Sequence, residues 1–254
     1  MNSLVAPNAD GAFSLSACKG ERSGVRWFQG GGNWFIARNA ITNYGLEGVQ
    51  FGAGPAAVVG NVFDTLVSAY ATCALNAYGA WPTVTGKTND SVFSFVGNEV
   101  NGGRFGEKAG SGLQPFHLHF TGNTIGVYSA FNLARDYPGA AVQGPAITFA
   151  NVSGNRLVSG GHGIHWGNGC TNAVVLKNDF AAAAYRGLSY DGTNGAVNAM
   201  AILKNDLGQG VSYHLRLRES DAGGFFLWGN HYTNGVTAVN PFTDSLGAPV
   251  HFIH

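Results

Sequence analysis

Short apolar runs alternate along this chain with turns rich in Gly and Asn, and eight of those turns obey one rule. An apolar strand leads, usually through Gly or Lys, to an Asn; one variable residue and one apolar residue follow. The copies read WFIARNAI, AAVVGNVF, VFSFVGNEV, HLHFTGNTI, NVSGNRL, VVLKNDF, AILKNDL and FLWGNHY, with Asn39, Asn61, Asn98, Asn123, Asn155, Asn178, Asn205 and Asn230 at the turn. Successive asparagines are 22, 37, 25, 32, 23, 27 and 25 residues apart. Three residues before each stand Ile36, Val58, Phe95, Phe120, Val152, Val175, Ile202 and Leu227. Two residues after stand Ile41, Phe63, Val100, Ile125, Leu157, Phe180, Leu207 and Tyr232. A lone strand shows only alternation with period two. Columns that stay apolar through every copy require the copies to stack, each repeat covering its neighbours' edges. Asn suits the turn because it tolerates the left-handed conformation and its amide can bond the same group one rung above and below.

Rungs of this length with an Asn ladder at one tight turn resemble the pectate-lyase-like superfamily of right-handed parallel β-helices, over residues 25 to 240. The expectation is therefore a single all-β domain over 1–254: a right-handed parallel β-helix of about eight rungs, with 1–24 as an N-terminal rung or cap and 241–254 as a C-terminal cap. The resemblance speaks to fold. That superfamily includes lyases, hydrolases, epimerases, phage tailspikes and non-enzymatic proteins, so activity has to be argued from the surface.

A second strand lies between one Asn turn and the next: GVQFG (48–52), SAFNLA (129–134), GIHWG (163–167), GLSYDG (187–192) and YHLRLRE (213–219). Alternation turns Val49, Phe51, Phe131, Leu133, Ile164, Trp166, Leu188, Tyr190, Leu215 and Leu217 inward. Gln50, Asn132, His165, Ser189, Arg216 and Arg218 then face outward. In proteins of the superfamily this sheet floors a substrate groove, and the loops after it form the wall. Both long steps place their surplus there, in 76–90 with Tyr78 and Trp81 and in 134–146 with Tyr137. Long loops on a regular scaffold are common carriers of function, and aromatic faces suit sugar rings. Charged residues gather at the same edge: Arg135, Asp136, Asp191 and Glu219.

Charge is otherwise sparse, 11% of residues, and Lys plus Arg (14) equals Asp plus Glu (14). No global field draws nucleic acid or an anionic membrane, and no apolar run is long enough to cross a bilayer. Cys18, Cys73 and Cys170 form no CxxC pair and read as buried apolar residues. His117 and His119 share a strand face, but only Ser94 and Asn151 stand in line with His119 on neighbouring rungs, so neither metal nor cofactor is expected. No phosphate loop, G-x-S-x-G or HExxH occurs.

These features point to a polysaccharide or oligosaccharide of low charge as the partner. Glycoside hydrolysis would use Asp136, Asp191, Glu219 and His165 as acid, base or nucleophile. Gln50, Tyr78, Trp81, Asn132, Arg135, Tyr137, Ser189, Arg216 and Arg218 would position sugar. A polysaccharide lyase and a non-catalytic glycan-binding or structural module of a larger protein fit the same surface. The expected location is extracellular or periplasmic, with the leader absent from this chain. An upstream domain or subunit is expected to cover the first rung, whose open edge would otherwise invite pairing.

Overall fold

The computed structural model describes residues 14–15, 23–27, 34–51, 55–66, 72–77, 92–109, 116–127, 129–132, 147–166, 170–191, 199–208, 214–218, 224–233, 239–240 and 250–252. Their strands form a right-handed parallel β-helix with three faces. Sheet I carries the strands that run into each Asn, nine in all from Trp34–Ala37 to Val250–Phe252. Sheet II carries the short strands that leave it, such as Ala40–Thr42, Glu99–Gly102 and Asp206–Leu207. Sheet III is the third face, running from Ser23–Trp27 through Glu47–Phe51, Cys73–Ala77, Phe105–Ala109 and Ser129–Asn132 to Val239–Asn240. One strand, Arg156–Trp166, runs unbroken around the corner from sheet II into sheet III.

Among the described residues eight asparagines join nine coils, one coil more than the number of turns suggests. Ser14–Leu15 pairs with Ala40–Ile41, and Val250–Phe252 pairs with Phe225–Leu227. Ser14–Leu15 thus supplies a rung strand within the segment expected as a rung or cap, and Val250–Phe252 one within the segment expected as the C-terminal cap.

Both apolar columns are true columns. Ile36, Val58, Phe95, Phe120, Val152, Val175, Ile202 and Leu227 are partners in an unbroken register along sheet I. All eight are buried, as are Ile41, Phe63, Val100, Ile125, Leu157, Phe180 and Leu207 on sheet II, while Tyr232 at the end of that column is half-buried. Along sheet I like stacks on like, the Phe95 and Phe120 rings lying 5.2 Å apart and nearly parallel, and across the core Phe63 of sheet II lies 5.5 Å from Phe95. Such offset ring contacts add to the area they bury.

The Asn ladder is fully bonded. Asn155 shows the pattern: its Oδ1 accepts from the backbone N–H and the Nδ2 of Asn123, at 3.0 and 2.9 Å. Its own Nδ2 donates to Asn178 Oδ1 and to the Phe120 carbonyl one rung back, at 2.9 and 2.8 Å. The same set of bonds recurs at Asn61, Asn98, Asn123, Asn178 and Asn205. The left-handed residue of the turn is not the Asn, contrary to expectation. It is the residue before it: Arg38, Gly60, Gly97, Gly122, Gly154, Lys177, Lys204 and Gly229 all have φ between 53° and 64°. Gly is frequent there because it takes positive φ without a Cβ clash.

Two outcomes follow. Asn155→Ala and Asn178→Ala should each lower stability by about 1–3 kcal/mol, because buried donors on the adjoining rung lose their acceptor; denaturant unfolding measures this. Gly154→Ala should cost about 1 kcal/mol through backbone strain alone, since no atom crowds a Cβ there closer than 4.0 Å, and Lys177→Gly should return a similar amount.

Candidate functional site

Sheet III is entered through a tight corner. An added Cβ at Gly48 would fall 2.5 Å from the Phe63 ring, at Gly163 2.4 Å from Phe180, and at Gly187 2.7 Å from Leu207. Glycine lets the chain press its backbone against the core at this point. Beyond the corner, alternation resumes, and Val49, Phe51, Ile164, Leu188 and Leu215 are buried as expected.

The register of sheet III puts one residue of each rung on a common line. In register order they are Arg26, Gln50, Asn76, Lys108, Asn132, His165, Ser189, Arg216 and Asn240. Five are sequence-predicted: Gln50, Asn132, His165, Ser189 and Arg216. Arg26, Asn76, Lys108 and Asn240 extend the line. Every one of the nine can donate or accept a hydrogen bond. The matching outward line of sheet I is mixed, reading Phe35, Ala57, Ser94, His119, Asn151, Val174, Ala201 and Phe226.

A second outward line appears because the corner breaks the period of two. Residues three apart across the glycine share the outer face. His162 and His165 stack their rings at 5.1 Å and 21°, and Gln50 Nε2 donates to Glu47 Oε1 at 3.3 Å. His162 is 8% exposed and aligns with Arg186 on the next rung, while His165 is half-buried and aligns with Ser189. Mid-sheet, the face therefore brings together two imidazoles, a guanidinium-bearing residue and a hydroxyl-bearing one. At its N-terminal end lie Glu47, Gln50 and Asn76.

Of the other expected residues, Asp191 is in register with Arg218, two positions past the Ser189–Arg216 pair. Tyr78, Trp81, Arg135, Asp136, Tyr137 and Glu219 lie outside the described residues. Sequence reasoning missed Glu47, His162 and Arg186 because it applied strict alternation, and the Gly at the corner is the signal that would have exposed them. It missed Lys108 and Asn76 because FGEKA and CALNA are too short to announce themselves as strands.

His117 and His119 sit on sheet I, away from this face, and flank the Phe149 ring at 6.2 and 6.0 Å. Ser94 and Asn151 are the register partners of His119, as expected. Sheet II bears exposed pairs instead, Arg156 with Asp179 at 3.7 Å and His231 with Asp206 at 2.9 Å. In the core, burial raises the Tyr44 phenol well above its ordinary pKa, with smaller contributions from Cys73 and Asp64, so it stays neutral. Cys73 is buried and forms no disulfide. Among the described residues no three His, Cys, Asp or Glu side chains converge on a metal-binding position.

No protein-family model, no curated protein and no solved structure matches this chain, so its chemistry is argued from the geometry above.

Proposed function

We propose that the outward face of sheet III binds a polysaccharide of low charge and that the chain hydrolyses it. The observation that carries the reading is the polar register line from Lys108 through Asn132, His165, Ser189 and Arg216 to Asn240, beyond the buried Gln50 and Asn76. At about 4.8 Å per rung it extends about 24 Å, a length suited to an extended chain of hydroxyl-rich rings. Amides, hydroxyls and imidazoles hydrogen-bond sugars without demanding charge on them. His165 stands at the middle of the line, one rung from Asn132 and one from Ser189. The acids that would act on the glycosidic bond are Asp191, Asp136 and Glu219, with His165 relaying a proton or holding a hydroxyl.

One observation favours binding without catalysis. Glu47, the carboxylate on this face with a described side chain, is 6% exposed and accepts hydrogen bonds from Gln50 and Asn76, so a glycosidic oxygen does not reach it.

A panel of polysaccharides, assayed for binding, for reducing-sugar release and for the ultraviolet absorbance of an unsaturated product, separates hydrolase, lyase and binding module. His165→Ala should weaken binding or turnover about tenfold, equivalent to about 1.4 kcal/mol, with a melting shift under about 4 °C. His119→Ala on sheet I should leave both unchanged. An essential His119 beside a silent His165 would move the site to the other face.

A further inference from the structure

Sheet I has an outer face that the glycan reading does not use. Two lines of side chains stand on it: the mixed one running from Phe35 through His119 to Phe226, and another two residues further on, running from Ala37 through Thr121 to Trp228. No Asp, Glu, Lys or Arg occurs on either line, and no residue of either is buried. Phe35 is 72% exposed, Trp228 42% and Phe226 40%. A charge-free face with bare aromatic side chains is unfavourable in water and marks an interface.

The order of residues along the face selects its occupant. Apolar residues hold both ends, and the polar His119, Thr121, Asn151 and Ser153 hold the centre. The face therefore matches itself when a second copy is turned over about a two-fold axis parallel to the strands, level with the gap between the rungs of His119 and Asn151. The two β-helices then run antiparallel. Phe35 and Ala37 meet Phe226 and Trp228 of the second copy, and Ala57 and Val59 meet its Ala201 and Leu203. Ser94 and Val96 meet Val174 and Leu176, while at the axis His119 and Thr121 can hydrogen-bond Asn151 and Ser153. Small side chains near one end thus face large ones near the other, which fills the about 10 Å between packed sheets evenly. A copy running parallel would set Phe226 against Trp228 and Ala57 against Val59, crowding one end and leaving the other slack.

The rim obeys the same axis. At the left-handed position that ends each sheet I strand, Arg38, Lys177 and Lys204 are exposed and Gly stands on the other rungs. The axis sets Arg38 opposite Gly229, Lys177 opposite Gly97 and Lys204 opposite Gly60, so each long cation has room and none meets another. Eight rungs at about 4.8 Å, with strands about five residues wide at about 3.3 Å each, make a face of about 38 by 16 Å. That is about 600 Å2 on each copy and about 1,200 Å2 in all, the lower end of what a stable dimer buries.

We infer that this chain forms an antiparallel two-fold dimer through the outer face of sheet I, which leaves sheet III of each copy uncovered. The dimer does not rest on the polysaccharide reading, and either can hold without the other.

Sedimentation equilibrium of the full-length chain tests it, and should show a dimer with Kd of about 10 µM, the weak end for such an area. Ala201→Glu and Ala57→Lys should each weaken self-association at least about a hundredfold, because a charge is buried without a partner. Below the Kd their melting temperatures should match the parent's, since neither position supports the core. Mixed one to one, the two variants should associate again, because the axis pairs position 57 of one copy with position 201 of the other. Should either variant fold poorly, Phe226→Ser tests the same face and should weaken association at least about tenfold. A parent chain monomeric at about ten times that Kd, which would leave the face to a different partner, would overturn the inference. So would association that survives Ala201→Glu, or two variants that fail to restore each other.

Discussion

Register is the constraint on which everything else in this molecule rests, and the Asn carboxamide is what enforces it. A carboxamide has two N–H donors and an oxygen that accepts twice. At Asn155 all four are used, three toward the preceding rung and one toward the following rung. A rung that slipped by one residue would leave several buried groups unpaired at once, at about 1–3 kcal/mol each. Slippage also turns every side chain to the opposite face. The ladder and the apolar columns therefore resist the same displacement, one through hydrogen bonding and the other through packing.

Fixed register turns a linear sequence into columns, and this is what lets a repeat protein build a surface. Residues up to about two hundred positions apart in sequence, Arg26 and Asn240 among them, fall on one line because each rung places one residue at the same point. The glycine corner adds a second line beside the first. Without the close approach at Gly163, His162 would not share a face with His165, and the stacked imidazoles would not form. Packing against Phe63, Phe180 and Leu207 thus shapes the outer face from the inside.

The parts of this structure that repeat were legible in the sequence. The eight asparagines, the two apolar columns and the line through Asn132, His165, Ser189 and Arg216 could be read because eight copies reinforce a signal that is weak in any single one. What the sequence concealed is local. Arg38, Lys177 and Lys204 occupy the left-handed position of the turn, so the conformation belongs to the residue before the Asn, where a Gly in the other copies marks it. The first and last coils, with Ser14–Leu15 and Val250–Phe252, lack an Asn turn on their outer side and so fell beyond the pattern. The pairs Glu47–Gln50 and His162–His165 were concealed by a bend that a period of two does not anticipate. The aromatic and acidic loop residues belong to single rungs, where no second copy supports a reading.

Native-state hydrogen exchange at the backbone amides of the ladder asparagines tests the central claim most directly. In each of Asn61, Asn98, Asn123, Asn155 and Asn178 that N–H donates to the Oδ1 of the next asparagine and not to a strand. If the ladder holds the rungs in register, these turn amides should exchange as slowly as the core strand amides of sheet I, opening only when several coils unfold together. Exchange at the rate of exposed turns, while the sheet I amides remain protected, would show that the columns alone hold the helix and would contradict the account.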